Sequence, residues 1–163
     1  AGSGLFAAPC GIREGVEPSA AMREKARERG VKTYDGVAEA LPLADKAYDF
    51  ALMVTTICFV DDPLAALKEA LRILRPGGRL IIGFVDKESP VGQQYLKFRE
   101  ESVFYKDAHF YSPSQLLHYL AEAGFVQVDM VQTVFGQLDE IKEVQEFRPG
   151  YGKGSFVVLS AQK

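Results

Sequence analysis

Cysteine and histidine are nearly absent from this sequence, with two of each in 163 residues. Cys10 and Cys58 do not make a disulfide scaffold at this size, and they lack metal-ligand spacing. Free thiols in a reducing cytoplasm are the expectation. Long apolar runs are also missing. The longest, Phe50 to Val60, is interrupted by two threonines and falls far short of a membrane span. Neither sign of charge dominates: 19 basic residues against 22 acidic give a net charge of -3. No run of Lys and Arg occurs, which argues against a nucleic-acid groove. The densest charged stretch, Arg23 to Arg29, mixes signs and reads as the solvated face of a helix. No internal repeat or low-complexity tract appears.

What is present is ordinary globular composition, 47% apolar and 25% charged, in a length that suits one domain with a real core. Strand-like and helix-like segments alternate, as in a βαβ protein with a mainly parallel sheet. Ile12 to Glu17 reads as a short strand. Pro18 to Arg29 reads as a helix capped by Ser19, with Met22 and Ala26 on one face and Gly30 as its stop. Val31 to Asp35 is a second short strand. Tyr48 to Val54 is a near-continuous apolar run, expected of a central strand buried on both faces. Asp62 and Pro63 open the next helix, whose stripe is Leu64, Leu67, Leu71 and Leu74. Pro76-Gly77-Gly78 ends it and turns into a buried strand, Arg79 to Val85.

Beyond Asp86 the pattern loosens into a polar stretch with scattered aromatics, and a helix over Val91 to Ser102 fits within it. Ser112-Pro113-Ser114-Gln115 predicts a helix start by a capping box with proline at the first position, and Gly124 closes that helix. Phe125 to Phe135 and Ser155 to Ala161 read as the last two strands. Gly136 to Gly154 between them is polar and glycine-rich, hence a loop.

Two features point to chemistry. Gly2-Ser3-Gly4 is a glycine turn that lets backbone approach a ligand closely, although the same pattern occurs in ordinary turns. Glu17 then ends the strand that follows, where a carboxylate can accept from both hydroxyls of a ribose. Capping the next helix is the plainer role for Glu17, and the two roles are compatible.

The segments Gly36-Val37-Ala38-Glu39-Ala40-Leu41-Pro42, Tyr48 to Leu52, Val60-Asp61-Asp62-Pro63 and Leu74 to Leu80 follow in a recognisable order and spacing. Over about the first 86 residues this set resembles the class I S-adenosylmethionine-dependent methyltransferases, in particular the branch that acts on small molecules. The remaining half resembles the family in element order alone. The resemblance implies an α/β fold, a Rossmann-like three-layer sandwich. Its mostly parallel seven-stranded sheet has the order 3-2-1-4-5-7-6 in the family's own count, with the last strand antiparallel. It implies a single domain over residues 1–163, with a cofactor-binding half at 1–86, a lid over the substrate at 87–111, and a C-terminal helix and strand hairpin at 112–163. The family's first strand precedes the glycine turn, so the resemblance also implies a longer chain, or a fragment completed in trans.

Residue roles come with the resemblance. Gly2 and Gly4 would border the methionine half of S-adenosylmethionine, with Phe6 packed behind the turn. Glu17 would hold the ribose and Pro18 would lie against the adenine. Val37 and Ala38 would flank the adenine edge, and Val54 and Thr55 would offer backbone groups to the methionine ammonium. Two positions depart from the pattern. Val37 stands where the family often has Asp, so adenine recognition falls to backbone and shape; Asp35 is two residues away and alternates to the same side. Cys58 and Phe59 stand where the family often has His, so no base is placed there.

Methyl transfer from a sulfonium is an in-line displacement with a good leaving group already on the cofactor. The protein has to align a nucleophile and exclude water, and a base is needed only for an acceptor that must lose a proton. His109, between aromatics in the lid, is a weak candidate base for which a pocket-lining or structural role is the plainer reading; Tyr105 and Tyr111 are similar candidates that equally suit lid packing, and His118 reads as a surface residue. A small-molecule acceptor is expected, in the cytoplasm, with no nucleic acid, no membrane and no metal. Two other readings stay open here. One is a non-catalytic domain or partner subunit that binds S-adenosylmethionine or S-adenosylhomocysteine. The other is a nicotinamide-dependent Rossmann enzyme, against which the Ala38 to Pro42 stretch and the Pro-Gly-Gly turn both count.

Overall fold

The computed structural model describes residues 1–163. After the glycine turn, strand β1 (Glu14–Val16) leads into helix α1 (Ala20–Glu28). The Ser19 hydroxyl caps α1 by accepting from the Met22 amide, and Gly30 leaves it at φ 81°. Strand β2 (Lys32–Tyr34) then returns parallel to β1. Ala26, Ala7 and Val31 form a small core under this unit, whereas Met22 faces solvent.

Strand β3 (Tyr48–Val54) begins the larger unit and is followed by one 3-10 turn, Ile57–Phe59, and helix α2 (Pro63–Ile73). Asp62 caps α2, its carboxylate accepting from the Ala65 amide at 3.0 Å, with Pro63 at the first position. The buried face of α2 is Ala66, Leu67, Ala70 and Ile73, while Leu64 and Leu71 are only partly covered. Strand β4 (Leu74–Val85) starts directly from the helix end. Its Pro76-Gly77-Gly78 segment bulges between the Tyr48 and Phe50 pairings. A Cβ on Gly78 would stand 2.9 Å from the Arg75 carbonyl oxygen, so only glycine passes there without a shift.

Helix α3 (Pro90–Lys97) is capped by Ser89 and continues into a 3-10 turn at Arg99–Glu101. Helix α4 (Pro113–Ala123) has the full capping box, Ser112 and Gln115 bonding reciprocally, and ends at Gly124 with φ 101°. Strands β5 (Val126–Thr133), β6 (Arg148–Pro149) and β7 (Phe156–Gln162) complete the chain. The loop after β5 is organised by one side chain. Gln132 accepts from the amides of Lys153 and Gly154 at 2.8 and 2.7 Å and donates to the Pro149 carbonyl at 3.2 Å. No helix is long and apolar enough to cross a membrane.

The strands form two sheets. β1 and β2 make a parallel pair, and the other five lie in the order β3-β4-β7-β5-β6. β3 and β4 are parallel, and β7 is antiparallel to both of its neighbours, as expected for the last strand. No strand of the chain lies between β1 and β3. Across that line the Tyr48 hydroxyl donates to Glu14 Oε2 at 2.6 Å, while within the smaller sheet the Tyr34 hydroxyl donates to Glu14 Oε1 at 3.2 Å.

The main core lies on one face of the larger sheet. Leu80, Ile82 and Phe84 of β4 and Val157, Leu159 and Ala161 of β7 alternate inward to meet Leu67, Leu116 and Leu120. Cutting Leu120 to Ala would cost about 2–5 kcal/mol. The opposite face is covered less, because α2 and α4 sit on the core side and α1 packs against β2. Phe50 is therefore 64% exposed, which corrects the expectation that Tyr48 to Val54 is buried on both faces.

The Glu14–Tyr48 contact gives the alkaline stability a sign. Burial and the Glu14 carboxylate push the Tyr48 phenol from 10.0 up to about 12, so the fold favours its neutral form. That contribution is whole below pH 10 and is lost as pH rises through about 12. Tyr48→Phe should cost about 1 kcal/mol at neutral pH and make the fall in stability above pH 10 shallower, as read by denaturant titration. Burial also raises Tyr105 and Tyr111, so a slope remains.

Candidate functional site

The N-terminal turn presents two glycines in the left-handed region, Gly2 at φ 55° and Gly4 at φ 79°. A Cβ on Gly4 would press on Ala26 of α1 at 3.2–3.3 Å, so Gly4 lets the turn sit on the helix. A Cβ on Gly2 would meet nothing within 4 Å, which leaves its face open to a ligand. The Gly2 amide donates to Glu17 Oε2 at 2.8 Å, and the Ser19 amide to Oε1 at 2.9 Å. The Ala1 amino group stands 3.4 Å from Oε2. Burial alone would raise the Glu17 carboxyl, but the Ser19 and Gly2 amides and the terminal ammonium outweigh it and hold the group below its usual range. A carboxylate has about four lone-pair sites, so acceptor capacity remains for two ribose hydroxyls.

Arg23 locks the segment after Glu17. Its Nη1 lies 2.8 Å from the carbonyl oxygens of Glu17 and Pro18 and 2.8 Å from Asp35 Oδ1. Asp35 is thus engaged by Arg23. Phe6 is 60% exposed and does not pack behind the turn, a correction that follows from Ala7 and Ala26 filling that space. Gly36 brings the next loop against β1, since a Cβ there would stand 3.1 Å from Val16. Val37 is half exposed and pairs with Ala40, and Ala38 rests on the main core.

Val54 and Thr55 lie at the C-terminal end of β3. The Thr55 amide donates to the Gly83 carbonyl at 2.8 Å, and Thr55 adopts φ 49°, rare for a β-branched residue. Such strain collects where backbone is held for a purpose. The Cys58 thiol stands 3.6 Å from the Thr55 carbonyl oxygen, and the Thr56 hydroxyl donates to the Val54 carbonyl at 3.1 Å.

Beyond these strand ends lies an aromatic wall. Phe59, Tyr105 and Tyr95 are near parallel, with centroids 6.3 and 4.9 Å apart, and Phe110 tilts against both tyrosines. Behind the wall is a nearly filled apolar space of about 20 Å³, lined by Thr55, Ile57, Cys58, Phe84, Val85 and Tyr111 together with the three rings of Tyr95, Tyr105 and Phe110. In front is an open cleft of about 620 Å³ lined by Gln94, Tyr95, Phe98, Ser102, Tyr105, Gln137, Leu138 and Asp139. Its size suits a small molecule. Residues 137–139 supply the side of this cleft that the sequence reading missed, because nothing local ties a polar loop to a distant lid.

His109 is exposed and lines neither space; its amide donates to the Cys58 carbonyl at 2.7 Å, which fastens the lid to the loop after β3. Tyr105 and Tyr111 do line them, and burial raises both phenols, which keeps them neutral. Burial likewise pushes the Cys58 thiol up to about 11. Asp86, read from sequence as a boundary, is a buried carboxyl at the end of β4 that accepts from the Glu88 amide at 2.9 Å, and its pKa is raised by that burial.

Residues 1–82 match the family model described as a methyltransferase domain. A solved structure from Thermotoga maritima, described as a SAM-dependent methyltransferase and possible histamine N-methyltransferase, is 54% identical with a TM-score of 0.97. The match covers 99% of this chain and 78% of that one. A protein of Methanocaldococcus jannaschii is 40% identical over 162 residues, again 99% of this chain and 78% of the relative. Demethylmenaquinone methyltransferase of Staphylococcus aureus is 30% identical over 144 residues, 74% of this chain and 60% of that protein.

The strain at the end of β3 is measurable without any ligand. Thr55 is exposed, so its side chain contributes little packing. Thr55→Gly should raise stability by about 1 kcal/mol in urea titration by removing the left-handed penalty. A loss of that size would mean that the threonine is anchored rather than strained.

Proposed function

The chain belongs to the class I S-adenosylmethionine-dependent methyltransferases, and on that premise we propose that it methylates a small organic acceptor held in the 620 Å³ cleft. The cleft carries this reading: Tyr95 and Tyr105, which line it, also line the space at the ends of β3 and β4. When bound, S-adenosylmethionine supplies both the methyl group and its leaving group. What is left to the chain is to hold, orient and keep dry.

The open, positive-φ face of Gly2 admits the methionine half, with Gly4 seating the turn on α1. Glu17 accepts from the ribose hydroxyls, Pro18 lies against the adenine, and Val37 and Ala38 border its edge. Val54 and Thr55 turn backbone groups toward the methionine ammonium. Tyr95, Tyr105 and Phe110 exclude water from the strand ends and form the surface that the acceptor meets.

Among the side chains lining the cleft, Asp139 alone is charged, and neither Lys nor Arg is present. An anionic acceptor would lose its hydration there without gaining a counter-charge. Neutral or cationic acceptors fit better, and a tyrosine face attracts an organic ammonium. Two of the named relatives carry an acceptor in their descriptions, histamine and demethylmenaquinone, and the lining favours the amine.

Labelled methyl transfer should therefore appear with aromatic amines, less with phenols, and least with carboxylates of the same size. No turnover on any member of that panel would favour a binding domain without catalysis. In calorimetry S-adenosylhomocysteine should bind and NADH should not. Glu17→Ala should weaken S-adenosylhomocysteine by about 10- to 100-fold, since hydrogen bonds to a charged group are worth about 1.5–3 kcal/mol. Unchanged affinity would remove Glu17 from the ribose site.

A further inference from the structure

The loop between β2 and β3, which contains Val37 and Ala38, is stapled to both ends of α2. At the start of the helix, Glu39 Oε1 accepts from the amides of Asp61 and Asp62 at 2.8 and 3.4 Å. At its end, Arg72 spreads its guanidinium over the loop. Nη2 donates to the Leu41 carbonyl at 2.9 Å, and Nη1 donates to the Leu43 carbonyl at 2.8 Å and to Asp45 Oδ1 at 2.5 Å. Glu69 closes the fork, accepting from Arg72 Nε at 2.7 Å and Nη2 at 2.8 Å and from the Leu41 amide at 2.8 Å. Lys46 and Ala47 add amide bonds to the carbonyls of Arg72 and Ile73. A helix of 11 residues is about 16 Å long, so the two staples stand well apart and fix both position and tilt.

The consequence comes from what Val37 and Ala38 lack. Neither side chain can hydrogen-bond, so the polar edge of a purine beside them is recognised by main-chain groups alone. Main-chain recognition discriminates only if the backbone is held still. Glu17 belongs to the smaller sheet, whereas this loop is tied to a helix of the larger unit. The staples thus set where a base stands relative to the ribose carboxylate.

We infer that Glu39 and the Arg72–Glu69 pair are positioning residues that set purine specificity, holding the Val37–Ala38 backbone from α2. This rests on the proposed placement of the adenine beside those two residues. Arg was needed rather than Lys because one planar fork has to reach two carbonyls and two carboxylates at once.

The test is calorimetric titration of the full chain with S-adenosylhomocysteine and with its hypoxanthine analogue, S-inosylhomocysteine. Arg72→Met and Glu39→Ala should each raise the Kd for S-adenosylhomocysteine about tenfold, or about 1.4 kcal/mol. Each should also shrink the preference for the adenine ligand several-fold, because a loose backbone no longer distinguishes an amino from a keto edge. The KM for the cofactor should rise while kcat at saturating cofactor moves less than about twofold. Glu39→Gln keeps an acceptor oxygen and should restore wild-type preference; Arg72→Lys should not rescue.

Folded variants that keep both the Kd and the purine preference would overturn the inference. So would equal weakening of both ligands together with a fall in kcat. If Arg72→Met does not fold, Glu39→Ala, which leaves α2 intact, decides alone. Val37→Trp separates the two layers. Its bulk on the half-exposed face must weaken both ligands if the adenine lies there. Weakening by Val37→Trp but not by the staple variants overturns the inference and leaves the site standing. No effect of Val37→Trp overturns the site, and the inference falls with it.

Discussion

The residues proposed to hold the cofactor come from two units, the parallel pair β1–β2 and the five-stranded sheet. On one side stands a two-stranded ladder, on the other a five-stranded sheet, and no backbone hydrogen bond joins the two. The union is made by side chains and loops instead. Glu14 takes the hydroxyl of Tyr48 at one end, and Gly36 presses on Val16 at the other. Of the residues proposed for the cofactor, Gly2, Glu17 and Pro18 lie with the small sheet, Val54 and Thr55 with the large one. A ligand that touches both sets is itself a bridge. Binding free energy from such a ligand appears as stability of the junction, because only the assembled form binds it.

The two sides are not equally robust. Sixteen buried residues make up the core under the large sheet, while three, Ala7, Ala26 and Val31, serve the small one. With so little apolar area removed from water, the β1–α1–β2 unit leans more on hydrogen bonds. Glu17 supplies two of them. Glu17 holds the turn to the strand end by the Gly2 amide and the start of α1 by the Ser19 amide. The same oxygens that suit a sugar thus keep their own surroundings in place.

Much of the fold was legible because its signals are local. Asp62-Pro63 and Ser112-Pro113-Ser114-Gln115 announce their helices through caps whose partners lie three residues away. Glycine marks the end of α4, and the antiparallel last strand and the membership of the family followed from ordered segments. The misses have a common cause in contacts that no window contains. Tyr48 to Val54 is apolar enough for two buried faces, but whether a second face is covered depends on where α1 lands. Gln132 looked like one polar residue in a strand, yet it organises a loop more than fifteen residues onward. The candidate site divides the same way. Gly2, Gly4 and Glu17 were visible as residue types suited to a task. The 137–139 side of the cleft, the φ of Thr55 and the reach of Arg72 were not, because each is decided by a neighbour distant in sequence.

The chemistry of the inner space fits a reaction that must not methylate its own enzyme. Under the proposed placement of the methionine end at Val54 and Thr55, the Cys58 sulfur, 3.6 Å from the Thr55 carbonyl oxygen, is the most nucleophilic side chain close by. A thiolate there would compete with any acceptor, since thiolates are the reactive form. Burial removes the danger by raising the thiol to about 11, which leaves roughly one molecule in ten thousand ionised at neutral pH. Tyr105 and Tyr111 are raised by the same burial, so the phenolates that might also attack are suppressed too. Ionised phenols would in addition pin a sulfonium by charge, stabilising the ground state more than the transition state, in which that positive charge is leaving the sulfur. A dry, neutral wall therefore does two things at once: it denies the methyl group a nucleophile from the protein, and it avoids a counter-charge that would slow the transfer.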